Sequence, residues 1–167
     1  SSLDNKTFAV KCFRAPEHTG NVGEDEIATA NFDKYVRNEL ALLRKLTKHT
    51  NVVTVEEIIS LTEDDVQHYV VMEKMDYNLK TMPIDRISRG RPSMIELAAT
   101  SVLKQLLSAM VFLHDEKFIV HRDIKPENIL VNVVTKKVMG QKETSWHVRL
   151  GDLGCARGMA KPTGQTR

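Results

Sequence analysis

The feature that most constrains the fold of this chain is a change of period at Glu73. Before it, short runs of branched residues surround one helical stripe; after it, a long helical pattern takes over. Such a switch predicts an α+β protein in two lobes, with residues 1–72 in the smaller, 73–79 as the connection and 80–167 in the larger. Residues 7–13 alternate well enough to be a strand carrying Lys11, entered through a turn at Asp4 and Asn5. Residues 14–29 contain Pro16, Gly20 and Gly23 without a sustained period, so they predict a loop, with a helix starting near its end. Phe32, Val36, Leu40, Leu43 and Leu46 mark that helix, and Glu39 falls on its apolar stripe. Residues 52–61 and 66–72 flank the acidic turn Thr62-Glu63-Asp64-Asp65 and predict a hairpin.

Beyond Glu73, residues 78–88 predict a short helix interrupted by Pro83. After the break at Gly90-Arg91-Pro92, Ser93 and Glu96 have the spacing of a capping box at the head of a long helix. Ala98, Val102, Gln105, Leu106, Ala109 and Leu113 share one side of it, and so many other positions are apolar that burial nearly all round is expected. Residues 129–134 and 146–150 predict two more strands, joined by a surface loop over 135–145.

Composition excludes some partners. Of 167 residues, 41% are hydrophobic and 28% charged, which is enough for a core, and a net charge of +2 leaves no broad footprint for nucleic acid or anionic membrane. No apolar run approaches the length of a membrane span, and the polar start lacks signal-peptide order, so an intracellular protein (cytoplasm, nucleus or both) is expected. Cys12 and Cys155 are too few and too isolated for a disulfide framework or a zinc site.

The chemistry is concentrated in His121-Arg122-Asp123-Ile124-Lys125-Pro126-Glu127-Asn128-Ile129-Leu130 and in Asp152-Leu153-Gly154. Asp123 supplies an acid able to accept a hydroxyl proton, Lys125 a cation for a migrating phosphoryl group, Asn128 an amide oxygen and Asp152 an anionic oxygen for a metal. The pattern H-R-D-x-x-x-x-N followed by D-x-G resembles the catalytic and metal-binding loops of eukaryotic protein kinases.

That resemblance implies a two-lobed kinase fold, ATP and Mg2+ as cofactors, and a protein substrate with a serine or threonine acceptor, since Lys125 is similar to the lysine of serine/threonine kinases. Asp123 would be the catalytic base, and Lys11 would grip the nucleotide phosphates while pairing with Glu39. Asn128 and Asp152 would hold magnesium. Met72, Glu73 and Met75 would form the hinge against adenine, with Ala9 and Leu130 sandwiching the ring. Arg122 would pair with a phosphorylated activation-loop residue, with Thr163 the regulatory phosphosite and Thr166 bonded near Asp123 and Lys125. Leu153 stands where the family most often has phenylalanine, keeping apolar contact while losing ring area. Asp76 to Leu79 and Thr166-Arg167 lean toward the cyclin-dependent and mitogen-activated kinases, for which a regulatory partner is possible. A Gly-rich phosphate loop would lie upstream of Ser1 and an Ala-Pro-Glu segment after Arg167, so the chain reads as a catalytic-domain fragment, inactive alone. Two alternatives stay open: a pseudokinase that scaffolds without turnover, and a small-molecule phosphotransferase of related fold.

Overall fold

A computed structural model describes residues 7–17, 19–61, 67–84 and 92–160. The predicted turns at Asp4-Asn5 and at 62–65, Thr163, Thr166 and residues 85–88 of the short helix predicted over 78–88 lie outside them, and the described part of that helix is not helical over 78–83, where Asn78 ends a two-residue strand and a turn follows over 79–81.

Strand β1 (Phe8–Phe13) turns Ala9, Lys11 and Phe13 to the less exposed side. It pairs antiparallel with β3 (Gln67–Glu73), whose other edge takes β2 (Val55–Leu61), giving the order β1-β3-β2. Against this sheet lies helix α1 (Val22–Lys45), which buries Val36, Glu39, Leu40, Leu42 and Leu43. The helix starts at Val22, inside the stretch predicted as loop. Its first turns expose Val22 and Ile27, and a segment whose apolar side chains are exposed among the described residues shows no apolar period, which is the signal the sequence lacked. Its start is fixed locally: Asp25 accepts from the Thr19 N–H at 2.8 Å and hydroxyl at 2.9 Å, and Glu24 and Asp25 oppose the positive end of the helix dipole.

The second sheet has the order β4-β6-β7, from β4 (Tyr77–Asn78), β6 (Ile129–Val138) and β7 (Gln141–Leu150). The loop expected over 135–145 is instead part of a ten-residue ladder from Ile129↔Leu150 to Val138↔Gln141. Met139 (φ 48°) and Gly140 (φ 82°) both adopt the left-handed conformation, as a tight two-residue hairpin turn requires. Helix α2 (Pro92–Val111) runs on as a π-helical turn over Phe112–Glu116 and packs on β7. Gln105 fastens it there, accepting from Val148 N at 2.9 Å and donating to Trp146 O at 2.8 Å. Ser93 lies within the helix rather than ahead of it; Pro92 opens the first turn, where its missing N–H costs nothing.

Burial of α2 all round does not hold. Val102, Ala109 and Leu113 are buried, whereas Leu97, Leu103, Leu107 and Val111 are exposed. By length and composition the helix from Ile95 to Glu116 could cross a membrane, with a mean hydropathy of 1.4 in its richest window, against the sequence expectation. Gln105 and the packing on β7 hold one face of it against the second sheet. Strand β5 (Ile119–Val120) pairs with β8 (Arg157–Gly158), and a 3-10 turn over Pro126–Asn128 leads into β6. The two larger sheets meet where Val52 bridges Leu150 in parallel, with Val53 N donating to Leu150 O at 3.0 Å and Leu150 N to Asn51 O at 2.8 Å. A cleft opens beside this junction.

Candidate active site

The pleat of β1 brings Lys11 to the cleft side, and the stripe of α1 brings Glu39 there. Lys11 Nζ lies 2.7 Å from Glu39 Oε1 and 3.0 Å from Asp152 Oδ1, so one cation joins a helix of the first lobe to the turn after β7. Glu39 is only 2% exposed, which an acid tolerates when a positive partner offsets its desolvation. Its Oε2 is buried without a hydrogen bond among the described residues. Burial works against the charge of Lys11, but the hydrogen bonds and charges of Glu39 and Asp152 outweigh it and hold its pKa above the ordinary 10.5. Burial likewise opposes the charge of Asp152, yet Lys11 and the Gly154 N–H keep its pKa below the ordinary 3.8. Asp152 sits at φ 58°, a conformation costly for a residue with a side chain, and its backbone kink aims the carboxylate at Lys11.

The second group lies on the loop before β6. Asp123 Oδ2 is 2.8 Å from Lys125 Nζ, and Asn128 Nδ2 donates to Asp123 O and Oδ2, each at 2.9 Å. The Lys125 hydrogen bond, more than the Asn128 one, lowers the pKa of Asp123, so the carboxylate is ionised at neutral pH and ready to accept from a hydroxyl. His121, 1% exposed, ties this loop to the Asp152 turn. Its Nδ1 accepts the Asp123 N–H at 3.3 Å, which leaves Nε2 to donate to Gly151 O at 2.9 Å. Arg122, at φ 64°, donates from Nε to Cys155 O at 2.8 Å.

The cleft walled by the Lys11 group has a volume of about 580 Å³. Ala9, Lys11, Glu39, Met72, Glu73, Met75, Asn128, Leu130 and Asp152, all singled out from the sequence, line it. Asp123 joins them through Asn128. The Glu73 side chain and N–H are engaged elsewhere, the carboxylate accepting from Thr54 N at 2.6 Å and pairing with Arg149 Nε at 2.9 Å while the N–H donates to Thr54 O at 3.1 Å, so a ligand could meet only its main-chain carbonyl. Leu153 is 2% exposed within the core. Sequence reasoning missed Arg149, Tyr35 and the bridging role of His121. For Tyr35 the available signal was its place one helical turn before Glu39.

The protein kinase domain model matches residues 1–167. The chain belongs to the protein kinase family. Among its relatives, the Protein kinase US3 homolog of Psittacid herpesvirus 1 is 30% identical over 149 residues, covering 89% of this chain and 27% of that protein. The Putative ribosomal protein S6 kinase alpha-2 of Caenorhabditis elegans is 33% identical over 132 residues, 79% of this chain and 15% of that one. Serine/threonine-protein kinase SSN3 of Aspergillus oryzae is 32% identical over 155 residues, 93% of this chain and 32% of that protein. The kinase chain thus spans about a third or less of the length of these relatives. Among solved structures, the yeast RNA Pol II CTD kinase CTDK-1 complex contains a chain that matches the kinase fold with a TM-score of 0.60 and 24% identity, over 93% of this chain and 40% of that one.

Proposed function

We propose that this domain serves transfer of the γ-phosphoryl group of magnesium-bound ATP to serine or threonine hydroxyls of protein substrates. The observation that carries the proposal is Lys11, bridging a buried glutamate and Asp152 in the wall of a cleft, with Asp123 and Lys125 joined to that cleft through Asn128. Phosphoryl transfer demands positioning and charge more than covalent chemistry. In this assignment Lys11 holds the nucleotide phosphates, Glu39 holds Lys11, Ala9, Met72 and Leu130 pack on adenine, and main-chain groups of residues 73–75 bond its edge.

The residues present fit a magnesium ion. The Asn128 amide nitrogen is engaged with Asp123, so its oxygen is the atom left for a cation, and Asp152 adds a carboxylate. An ion held there would take one or two protein oxygens, with phosphates and water completing its shell. Bound there, the ion would neutralise phosphate charge. Asp123 would orient the acceptor hydroxyl and take its proton; Lys125, already paired with Asp123, would face the transferred group. Arg122 is assigned to a phosphorylated activation-loop residue, with Thr163 as the phosphosite and Thr166 near Asp123, and an intracellular setting with a regulatory partner goes with that assignment.

A pseudokinase reading is less well supported, because Lys11, Glu39, Asp123, Asn128 and Asp152 are all present, Lys11 bonded to Glu39 and Asp152 and Asn128 bonded to Asp123. The test is phosphotransfer from ATP to a serine- or threonine-containing peptide by the full-length natural protein, with and without magnesium. Magnesium-dependent transfer supports the proposal; nucleotide binding without transfer favours the scaffold.

A further inference from the structure

We propose that Tyr35 is a positioning residue that latches helix α1 to the Asp152–Gly154 turn and so fixes the geometry of the Lys11–Glu39–Asp152 chain. The proposal rests on the phosphotransfer reading only for its kinetic readout. A Cβ placed on Gly154 would overlap the Tyr35 hydroxyl and lie 3.2 Å from both Tyr35 Cζ and Asp152 Oδ1. The backbone gives no other reason for a glycine: the glycines with positive φ are Gly20 and Gly140 among the described residues, and Gly154 is not one of them. The tip of Tyr35, a residue 40% exposed, occupies the space that a side chain on Gly154 would need, so such a side chain must displace it.

The contact belongs to a closed circuit. Tyr35 packs on Gly154, the Gly154 N–H donates to Asp152 Oδ1 at 3.2 Å, Asp152 pairs with Lys11, and Lys11 pairs with Glu39, one helical turn from Tyr35 on the same face. Phe13 closes the inner side, its ring centroid 6.4 Å from that of Tyr35 and 5.0 Å from Lys11 Nζ. Burial, followed by the charge of Glu39, raises the phenol above its ordinary pKa of 10.0, so its proton is retained at neutral pH. Glu39 Oε2, buried and without a hydrogen bond among the described residues, is the acceptor such a donor would serve. A shift of α1 away from the cleft must break the Tyr35–Gly154 contact and the lysine bridge together.

The experiment is a double-mutant cycle in the full-length natural protein, using Tyr35→Ala, Tyr35→Phe, Gly154→Ala and their combinations. KM for magnesium-ATP and kcat are measured together with the thermal midpoint in the absence of nucleotide. Gly154→Ala is expected to raise KM about tenfold in the wild-type background and less than about twofold beside Tyr35→Ala, with intermediate relief beside Tyr35→Phe, whose ring still crowds the Cβ. The thermal midpoints follow the same non-additive order. Equal penalties in all three backgrounds overturn the latch. Should Gly154→Ala fail to fold, the Tyr35 variants decide: KM raised about tenfold by Ala and under about threefold by Phe supports the latch, and an unchanged KM in both overturns it. If the wild-type protein transfers no phosphate, the functional proposal falls, while the coupling of thermal midpoints still decides the latch.

Discussion

The Lys11 group in the cleft wall and the Asp123–Lys125 pair, joined to that wall through Asn128, are built differently. Lys11 is 29% exposed and holds a glutamate that is 2% exposed, joining a strand, a helix and a turn that lie far apart in sequence. Asp123 and Lys125 are 28% and 47% exposed and belong to one short loop. A group that bridges distant elements supports the fold as well as any ligand, whereas a group confined to a loop is free to serve chemistry alone. Substitutions in the first group should therefore disturb both stability and nucleotide binding, and substitutions in the second should change rate without moving the melting point.

The sharpest way to break that contrast is Asp152→Asn. It removes the anion from both the lysine bridge and the proposed metal site, so magnesium-dependent ATP affinity should fall on the order of 100-fold, as read by calorimetry with and without magnesium. Lys11→Met should follow. It leaves Glu39 buried and uncompensated, which costs roughly 3 kcal/mol and lowers the thermal midpoint by roughly 6 to 12 °C for a domain of this size. If Lys11→Met melts like the wild type, the bridge has no structural role and the contrast fails. Lys80→Ala offers a control, since the Lys80–Glu127 pair is as short, at 2.7 Å, but 66% and 39% exposed; a loss under about 1 kcal/mol in chemical denaturation is expected. Smallest of all, Ile27→Gln in the exposed first turns of α1 should stay within about 0.5 kcal/mol, and a larger loss would mean those turns are covered.

Legibility in the sequence followed how local each feature is. Asp123, Lys125 and Asn128 act within one loop, so their spacing displayed the site directly. Glu39 was legible for another reason, because an acid on an apolar stripe requires a partner, and Lys11 supplies it at 2.7 Å. The start of α1 was hidden because Val22 and Ile27 are exposed among the described residues and supply no apolar period. The outer hairpin of β6 and β7 was hidden because Thr135, Lys136, Glu143 and Thr144 pair across it without apolar alternation, and Met139 gives little warning of a left-handed turn. Helix α2 misled in the opposite direction: its all-round apolar character predicted burial, yet composition cannot say which faces the described residues cover. Arg149 depends on contacts with Glu73 and His49, distant in sequence, which no local pattern reveals, whereas Tyr35 had only its helical spacing from Glu39 to mark it.

The central claim is that Asp123 acts in the chemical step while the Lys11 group holds the nucleotide. Asp123→Asn in the full-length protein, with the peptide phosphorylation rate and magnesium-ATP affinity measured on the same preparation, tests it most directly. The account predicts a rate reduced by roughly 100- to 10,000-fold, with affinity and melting point close to wild type. A variant that keeps more than about a tenth of the rate, or that loses ATP binding in proportion to its rate, would contradict the account.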